Sequence, residues 1–343
     1  MKKIWLHIVK AYINLGLFFY FRKILVYNTE NVPKDQPVLF LSNHQNALLD
    51  ALLIATKCGR FVYFLTRASV FKRSLVDSLL RSLQMLPVYR IRDGWTNISK
   101  NSPVFETCSE LLHKNDGVVI FPEGSHSLNR TVRPLSKGFT RIIYETLQKY
   151  PLTNLQLVPV GVNFINAKEF GDSTSIYFGE PLNAKDYLPD FSNESVVELK
   201  EVIFQKITEL TTHIPAESYD EVISELNKLD VDYLDPVAVN DCLASGTKNC
   251  KTVKPRTLFW FKPVLKILLK FLLIGPYLIW RGLIKPKIDE EEFISTFRFA
   301  VALTLVPLWL IALGIFLWFS AGWIISITFI AIVLLLDLLI LKF

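Results

Sequence analysis

The chain has 343 residues, 51% of them apolar, and a formal net charge of +6. That is room for one or two domains, and the apolar share is too high for an ordinary soluble protein. The modest positive excess suits an anionic membrane or a phosphorylated substrate, and with the apolar segments described below it argues against nucleic acid.

The chain opens on a mostly apolar helical segment, residues 3–22, with basic residues at both ends and Lys10 inside. Its uninterrupted apolar stretches are short for a full span, and no small-residue cleavage site follows. The pattern predicts a helix lying in or dipping into the membrane interface over 1–23, with a buried helix as the competing reading. Residues 24–190 alternate short apolar runs with amphipathic stretches. Strands are expected at 37–42, 61–65, 86–90, 117–121, 156–162 and 174–178. Helices are expected near 46–56, 74–84, 101–113 and 136–148. That alternation predicts an α/β fold, a mostly parallel sheet flanked by helices.

Residues 191–256 are polar and mostly helical, a helical appendage or linker with no visible chemistry. In 257–288, Lys262, Lys266 and Lys270 fall four apart in an aromatic and aliphatic background. They share one helix face, as expected for a basic amphipathic segment on the membrane surface; a true span is the competing reading. The segment 297–343 holds two apolar runs, 299–319 and 323–341, each long enough to cross a ~30 Å hydrocarbon core. Only Ser320, Ala321 and Gly322 separate them, which predicts a transmembrane hairpin. Lysines and arginines precede it and Lys342 follows. The positive-inside rule therefore sets both ends, and the catalytic domain, on the cytoplasmic side of an integral membrane protein. Cys58, Cys108, Cys242 and Cys250 form no Cys-x-x-Cys pair. A disulfide framework or zinc site is not expected; reduced thiols facing the cytosol are, and the sequons at Asn97, Asn129 and Asn193 then carry no glycan.

Three constellations carry chemistry. In NHQNALLD, residues 43–50, His44 and Asp50 are separated by five residues. On one continuous helix six steps of ~100° put them on different faces. His44 is therefore expected in the loop before the helix, with Asp50 in its first turns and the backbone folding one toward the other. A carboxylate so placed orients an imidazole, whose other nitrogen can take a proton from an alcohol. Alone, such a pair is more often a loop-capping histidine. FPEGSHS, residues 121–127, follows an apolar strand and opens a loop rich in donors, with Arg130, Arg133 and Lys137 downstream, a pattern suited to cradling phosphate. LPVYR, residues 86–90, delivers Arg90 to the carboxyl edge of the sheet, where ligands gather in open α/β folds. Singly, Arg90 reads as a surface cation and Glu123 as a helix-capping acid. No G-x-S-x-G elbow or Walker loop is present, and the histidines lack metal-ligand spacing.

NHQNALLD, LPVYR, FPEGSHS and LVPVGV come in the order and spacing of the four motifs of the glycerol-phosphate and lysophosphatidate acyltransferases, with their PlsC-like fold. FGEPL, residues 178–182, also resembles that family, over about residues 24–190. The resemblance implies His44 as general base and Asp50 as its partner. It implies acceptor binding by Arg90, Glu123, Gly124 and Ser125, and an acyl-pocket role for Pro159. It implies direct attack of a glycerol 3-phosphate or lysophosphatidate hydroxyl on a thioester of coenzyme A or acyl carrier protein, with no cofactor, no metal and no acyl-enzyme. Two departures stand out. The His–Asp spacing is one residue longer than the family's usual four, similar to some fungal glycerol-3-phosphate acyltransferases. His126 stands where the third motif usually carries Arg, which shifts phosphate binding toward Arg130, Arg133, Lys137 or a protonated His126. The rival readings are an acyltransferase or transacylase for another lysolipid or amino-lipid, a catalytically silent membrane scaffold, and a hydrolase.

Overall fold

A computed structural model describes residues 2–89, 100–188, 191–248, 250–252 and 261–342. Helix α1 (Lys2–Phe18) leads into strand β1 (Lys23–Tyr27). Then come β2 (Val38–Ser42), α2 (Ala47–Lys57), β3 (Val62–Arg67), α3 (Ser74–Ser82), β4 (Met85–Val88), α4 (Ser102–His113), β5 (Gly117–Ile120) and α5 (Gly138–Lys149). The domain closes with β6 (Gln156–Phe164), β7 (Ser173–Phe178) and β8 (Leu182–Asn183). These strands form one sheet in the order β1-β7-β6-β2-β5-β3-β4, with β8 beside β6. Every pairing is parallel except those of β6 with β7 and with β8. The sheet is thus mixed and mostly parallel, with β2 central.

Both faces of β2 are covered, which is why VLFLS is an unbroken apolar run and not an alternating one. Val38 and Phe40 point into a cluster with Leu53, Ile54, Val160 and Phe178. Leu39 and Leu41 point the other way, onto Phe139, Ile142 and Ile203. Three features differ from the sequence expectation. Strand β1 was hidden behind the opening helix, because an edge strand with half-exposed residues has no continuous apolar run to mark it. Strand β8 has two residues, too few for any period to register. Helix α3, expected to pack on the sheet, buries none of its residues.

The region after the sheet forms α6 (Ala184–Tyr187), α7 (Asn193–Glu209), α8 (Tyr219–Lys228) and α9 (Pro236–Ala244). Ile214, Leu226, Val231, Val239 and Cys242 give α8 and α9 a small core of their own. There the expectation of reduced thiols is corrected: Cys242 and Cys250 form a disulfide, Cα–Cα 4.7 Å. The chain reverses after α9 through Gly246 and Thr247, both at positive φ, and the Thr247 N–H closes on the Cys242 carbonyl at 2.9 Å. Cys58 and Cys108 are free and buried.

Helices α10 (Lys262–Leu272) and α11 (Ile274–Ile279) meet at a sharp bend; α10 and the segment 274–287 lie at 93°. Leu269 of α10 packs on Leu310, Val333 and Leu336. Those three belong to α12 (Phe293–Ala321) and α13 (Trp323–Lys342), both long and apolar enough to cross a membrane. Gly322 alone separates them, at φ +93°. Helix α12 has 29 residues, ~43 Å at 1.5 Å per residue, so it exceeds the ~30 Å of hydrocarbon. Its extra turns dock on the sheet domain. Phe299 joins the core beneath β2, and a side chain at Gly16 of α1 would meet Leu303 at 2.5 Å and Phe299 at 3.3 Å.

Candidate active site

Strands β2, β5 and β6 run parallel, so the loops leaving them meet at one edge of the sheet. Asn43 extends β2 by one side chain. Its Nδ2 donates to the Val162 carbonyl at 2.9 Å, and its Oδ1 accepts the Val162 N–H at 2.8 Å. The chain then wraps around a single carboxylate oxygen. Asp50 Oδ2 accepts from His44 Nδ1 at 2.9 Å, from the Gln45 N–H at 2.8 Å and from the Asn46 N–H at 2.7 Å. Closing this loop within the available spacing puts Ala47 at φ +38°, a backbone that L-residues seldom adopt. Asp50 itself is fully buried in the first turn of α2, where the helix N-terminus favours a negative charge.

Because Nδ1 faces a carboxylate, it carries the proton, and Nε2 is left as the basic nitrogen of the neutral ring. Phe121 lies flat against the imidazole, ring centroids 3.9 Å apart at 14°. The loop after β5 grips the same residue by its backbone. Glu123 Oε1 accepts the His44 N–H at 3.1 Å, and the Ser127 N–H donates to the His44 carbonyl at 3.1 Å. Glu123 Oε2 meets Arg133 Nε at 2.6 Å. Burial pushes the Glu123 carboxyl above its ordinary range, and the Arg133 charge pulls against that. Gly124 sits at φ +72° with open space around it, so backbone conformation and not crowding calls for glycine there.

The cations named from the sequence have other partners here. Arg133 completes its fork on Ser125, with NH1 on the hydroxyl at 2.5 Å and NH2 on the carbonyl. Arg130 donates to the carbonyls of Phe164 and Ile165 at 2.8 and 2.7 Å, and its guanidinium lies 3.6 Å from the ring centroid of Tyr233. Lys137 is exposed, at the start of α5. Arg90 lies outside the described residues. Asn101 brackets the residue before it, bonding both the N–H and the carbonyl of Tyr89 at 2.8 and 2.7 Å. His126 sits edge-on to His44 at 5.7 Å and to Phe293 of α12 at 4.7 Å, with Nε2 3.5 Å from Glu290 Oε2. His126, Glu290 and Glu292 bring ligand atoms within 4.8 Å of one another, a grouping that acids near a surface commonly adopt without an ion. Pro159 is buried in β6 opposite Leu41, and its carbonyl accepts the Gly179 N–H at 2.8 Å.

Two contributions to the site had no sequence signal. The foot of α12 places Phe293 beside His126, so the membrane hairpin begins at the rim of the site. The segment after α7 is sewn to the loop after β5. The Ile214 N–H donates to the Arg130 carbonyl at 2.8 Å, Thr131 Oγ1 to the Ile214 carbonyl at 2.7 Å, and the Val132 N–H to His213 Nδ1 at 3.0 Å. Burial holds the His213 imidazolium below its ordinary pKa, in keeping with that acceptor role. Thr211 and Thr212 thereby line one pocket with His44, Glu123 and Asn163.

A family model described as Acyltransferase matches residues 23–163, from the start of β1 into β6. The chain is 28% identical over 116 residues to glycerol-3-phosphate O-acyltransferase 1 of Saccharomyces cerevisiae, covering 32% of this chain and 15% of the yeast protein. It is 25% identical over 191 residues to 1-acyl-sn-glycerol-3-phosphate acyltransferase of Bacillus subtilis, covering 54% of this chain and 87% of that protein. With the yeast protein and six further curated relatives, the match spans 14% to 55% of the relative's length. The crystal structure of the 1-acyl-sn-glycerophosphate (LPA) acyltransferase PlsC from Thermotoga maritima aligns over 61% of this chain and 80% of that one, with a TM-score of 0.45 and 21% identity.

Proposed function

We propose, from the premise that residues 23–163 are an acyltransferase-family domain, that this protein acylates a hydroxyl of glycerol 3-phosphate or 1-acylglycerol 3-phosphate at a membrane surface, in phospholipid synthesis. The donor is a thioester of coenzyme A or acyl carrier protein. His44 Nε2 takes the acceptor's hydroxyl proton as its oxygen attacks the thioester carbonyl carbon. The C–O bond forms, the C–S bond breaks, and His44 passes the proton to the departing sulfur, which leaves as the thiol and restores the neutral imidazole. Asp50 fixes the ring and stabilises the imidazolium formed on the way. The observation that carries this reading is the 2.9 Å His44–Asp50 bond at the mouth of a polar pocket.

The hairpin foot beside His126 supports an acceptor or product that moves between the site and the bilayer. The arginines and lysines ahead of the hairpin support a cytoplasmic catalytic domain. One observation favours a second acceptor class. With Arg130 and Arg133 both bonded to protein groups, a lipid alcohol without a phosphate is the alternative. Purified protein in detergent, given labelled acyl-CoA or acyl carrier protein and a panel of acceptors, separates the two. Ester formation on glycerol 3-phosphate or lysophosphatidate is expected. Equal use of a phosphate-free alcohol moves the reading to the second class, and free fatty acid released without acceptor defeats both.

A further inference from the structure

Helix α3 stands on the outside of the sheet domain with an apolar side that none of the described residues covers. Leu75 is 87% exposed and Leu79 51% exposed, one turn apart on the same face, with Val76 beside them. The patch does not end with α3. Trp5 of α1 donates its indole N–H to Ser82 at 3.3 Å, which sets the start of α1 alongside the end of α3. Ile4 and Ile8 of α1 are 65% and 59% exposed and extend the apolar face. The far end of α1 is bound to the membrane hairpin. Tyr12 donates to the Leu303 carbonyl at 2.5 Å, and Lys342 Nζ donates to the Phe18 and Phe21 carbonyls at 2.9 and 2.8 Å. An apolar surface therefore runs from the hairpin along α1 to α3.

The flanks of this surface are basic. Lys3, Lys72 and Arg73 are exposed. Between Arg67 and Ser82 the only acid is Asp77, which is paired with Arg81 at 2.9 Å. An apolar helix face edged with Lys and Arg matches a bilayer whose headgroups are anionic, and a tryptophan at the junction suits the headgroup level.

We infer that the exposed face of α3, joined to the first half of α1, is a second membrane-docking surface that seats in the anionic leaflet on the catalytic-domain side of the hairpin. The hairpin holds the chain in the bilayer, and the α1–α3 face sets the tilt of the sheet domain over it. Continuity with the hairpin and the basic rim favour lipid over a second copy of the chain.

The test uses the full chain reconstituted into vesicles of phosphatidylcholine with or without phosphatidylglycerol. A Leu75→Cys or Leu79→Cys variant is labelled with the fluorophore NBD, with Lys185→Cys on exposed α6 as the control. Cys58 and Cys108 are buried and Cys242 and Cys250 are bridged, so labelling is selective. The expected result is a blue-shifted emission at positions 75 and 79, quenched by lipids carrying a nitroxide on the acyl chain, more so with phosphatidylglycerol. Position 185 should stay water-like. Emission at 75 and 79 matching that at 185 overturns the inference. So does self-quenching that rises with protein-to-lipid ratio while nitroxide lipids have no effect, which identifies a second copy as the occupant. Fluorescence reports the docking whether or not the reaction proposed above is the right one.

Discussion

Glu123 holds His44 by its backbone: 79 residues apart in the chain, they meet through an N–H···Oε1 bond of 3.1 Å. The same carboxylate holds Arg133 at 2.6 Å, so one buried acid ties the base, the loop after β5 and a guanidinium together. This predicts different outcomes for the two partners. His44→Ala should fold and insert normally, because its ring touches Asp50 and Phe121 at the rim of the site, and should lose ~10²–10⁴-fold in kcat. Glu123→Ala should lose stability as well as turnover. Removing one member of a buried pair typically costs ~3–5 kcal/mol, less here because Arg133 is 26% exposed. Thermal unfolding in detergent beside single-turnover kinetics checks both. Wild-type turnover by a folded His44→Ala protein would sink the proposed mechanism.

Stability should depend on pH through Asp172. Its Oδ1 accepts the Asn166 N–H at 2.9 Å, but its Oδ2 is buried with no partner. Burial raises its pKa from 3.8 to about 6. The folded state therefore holds this proton more tightly than the unfolded chain. That contribution is fully present below pH ~4 and is lost as the pH rises to ~6, at about 1.4 kcal/mol per pH unit, roughly 3 kcal/mol in all. Asp172→Asn keeps an acceptor for Asn166 and never ionises. It should unfold at a higher temperature than wild type above pH 6, with the difference closing toward pH 4. A constant difference across that range would show that Asp172 is not the titrating group.

Much of this was visible in the residues. The buried run VLFLS marked the central strand, and the order of the motifs put His44 and Glu123 in loops at strand ends. The geometry of the His44–Asp50 loop followed from the spacing alone, since a continuous helix cannot bring those side chains together. The rest was not visible, for reasons that differ. A cation is obvious in a sequence, but its partners are not: Arg130 and Arg133 read as free for phosphate, and the fold gives them carbonyls, Tyr233, Ser125 and Glu123. Cys242 and Cys250 form no Cys-x-x-Cys pair, and the reversal at Gly246 and Thr247 that brings them together depends on backbone angles that no period encodes. The docking of 211–214 on the loop at 130–132 joins segments some 80 residues apart and leaves no local trace.

The orientation of the chain and the state of that disulfide are linked. A catalytic domain in the cytoplasm meets a pool that keeps thiols reduced. With the orientation proposed here the Cys242–Cys250 bridge has to withstand that pool, and cells quenched in acid and alkylated under denaturing conditions should show it closed. A Ser320→Cys variant at the hairpin turn should react with an impermeant maleimide added outside intact cells. A position 320 shielded from the impermeant reagent in intact cells would place the domain on the opposite side.

Thr212 supplies the last prediction. Its neighbour Thr211 spends its hydroxyl on the Ile207 carbonyl at 2.9 Å, as a helix-end threonine commonly does. Thr212 has no such outlet. It is 3% exposed, its Oγ1 has no partner, and it lines the pocket that holds His44 and Glu123. Burying a hydroxyl without a hydrogen bond costs ~1–3 kcal/mol, so its presence weakens the free protein. A purely structural site would gain from valine, which has the same shape and no polar atom. Thr212→Val should accordingly unfold at the same or a higher temperature than wild type. If the hydroxyl instead meets an oxygen of the bound acceptor, the same variant should raise the acceptor's KM about tenfold, equivalent to about 1.4 kcal/mol. The KM of the acyl donor should stay unchanged, and Thr212→Ser should recover most of the loss. Kinetics with glycerol 3-phosphate and with lysophosphatidate, run beside thermal unfolding, separate the cases. A stabilised variant with an unaltered acceptor KM leaves Thr212 as a packing residue. A stabilised variant with a raised KM makes the segment after α7 part of the acceptor site, although it lies beyond the residues matched by the acyltransferase family.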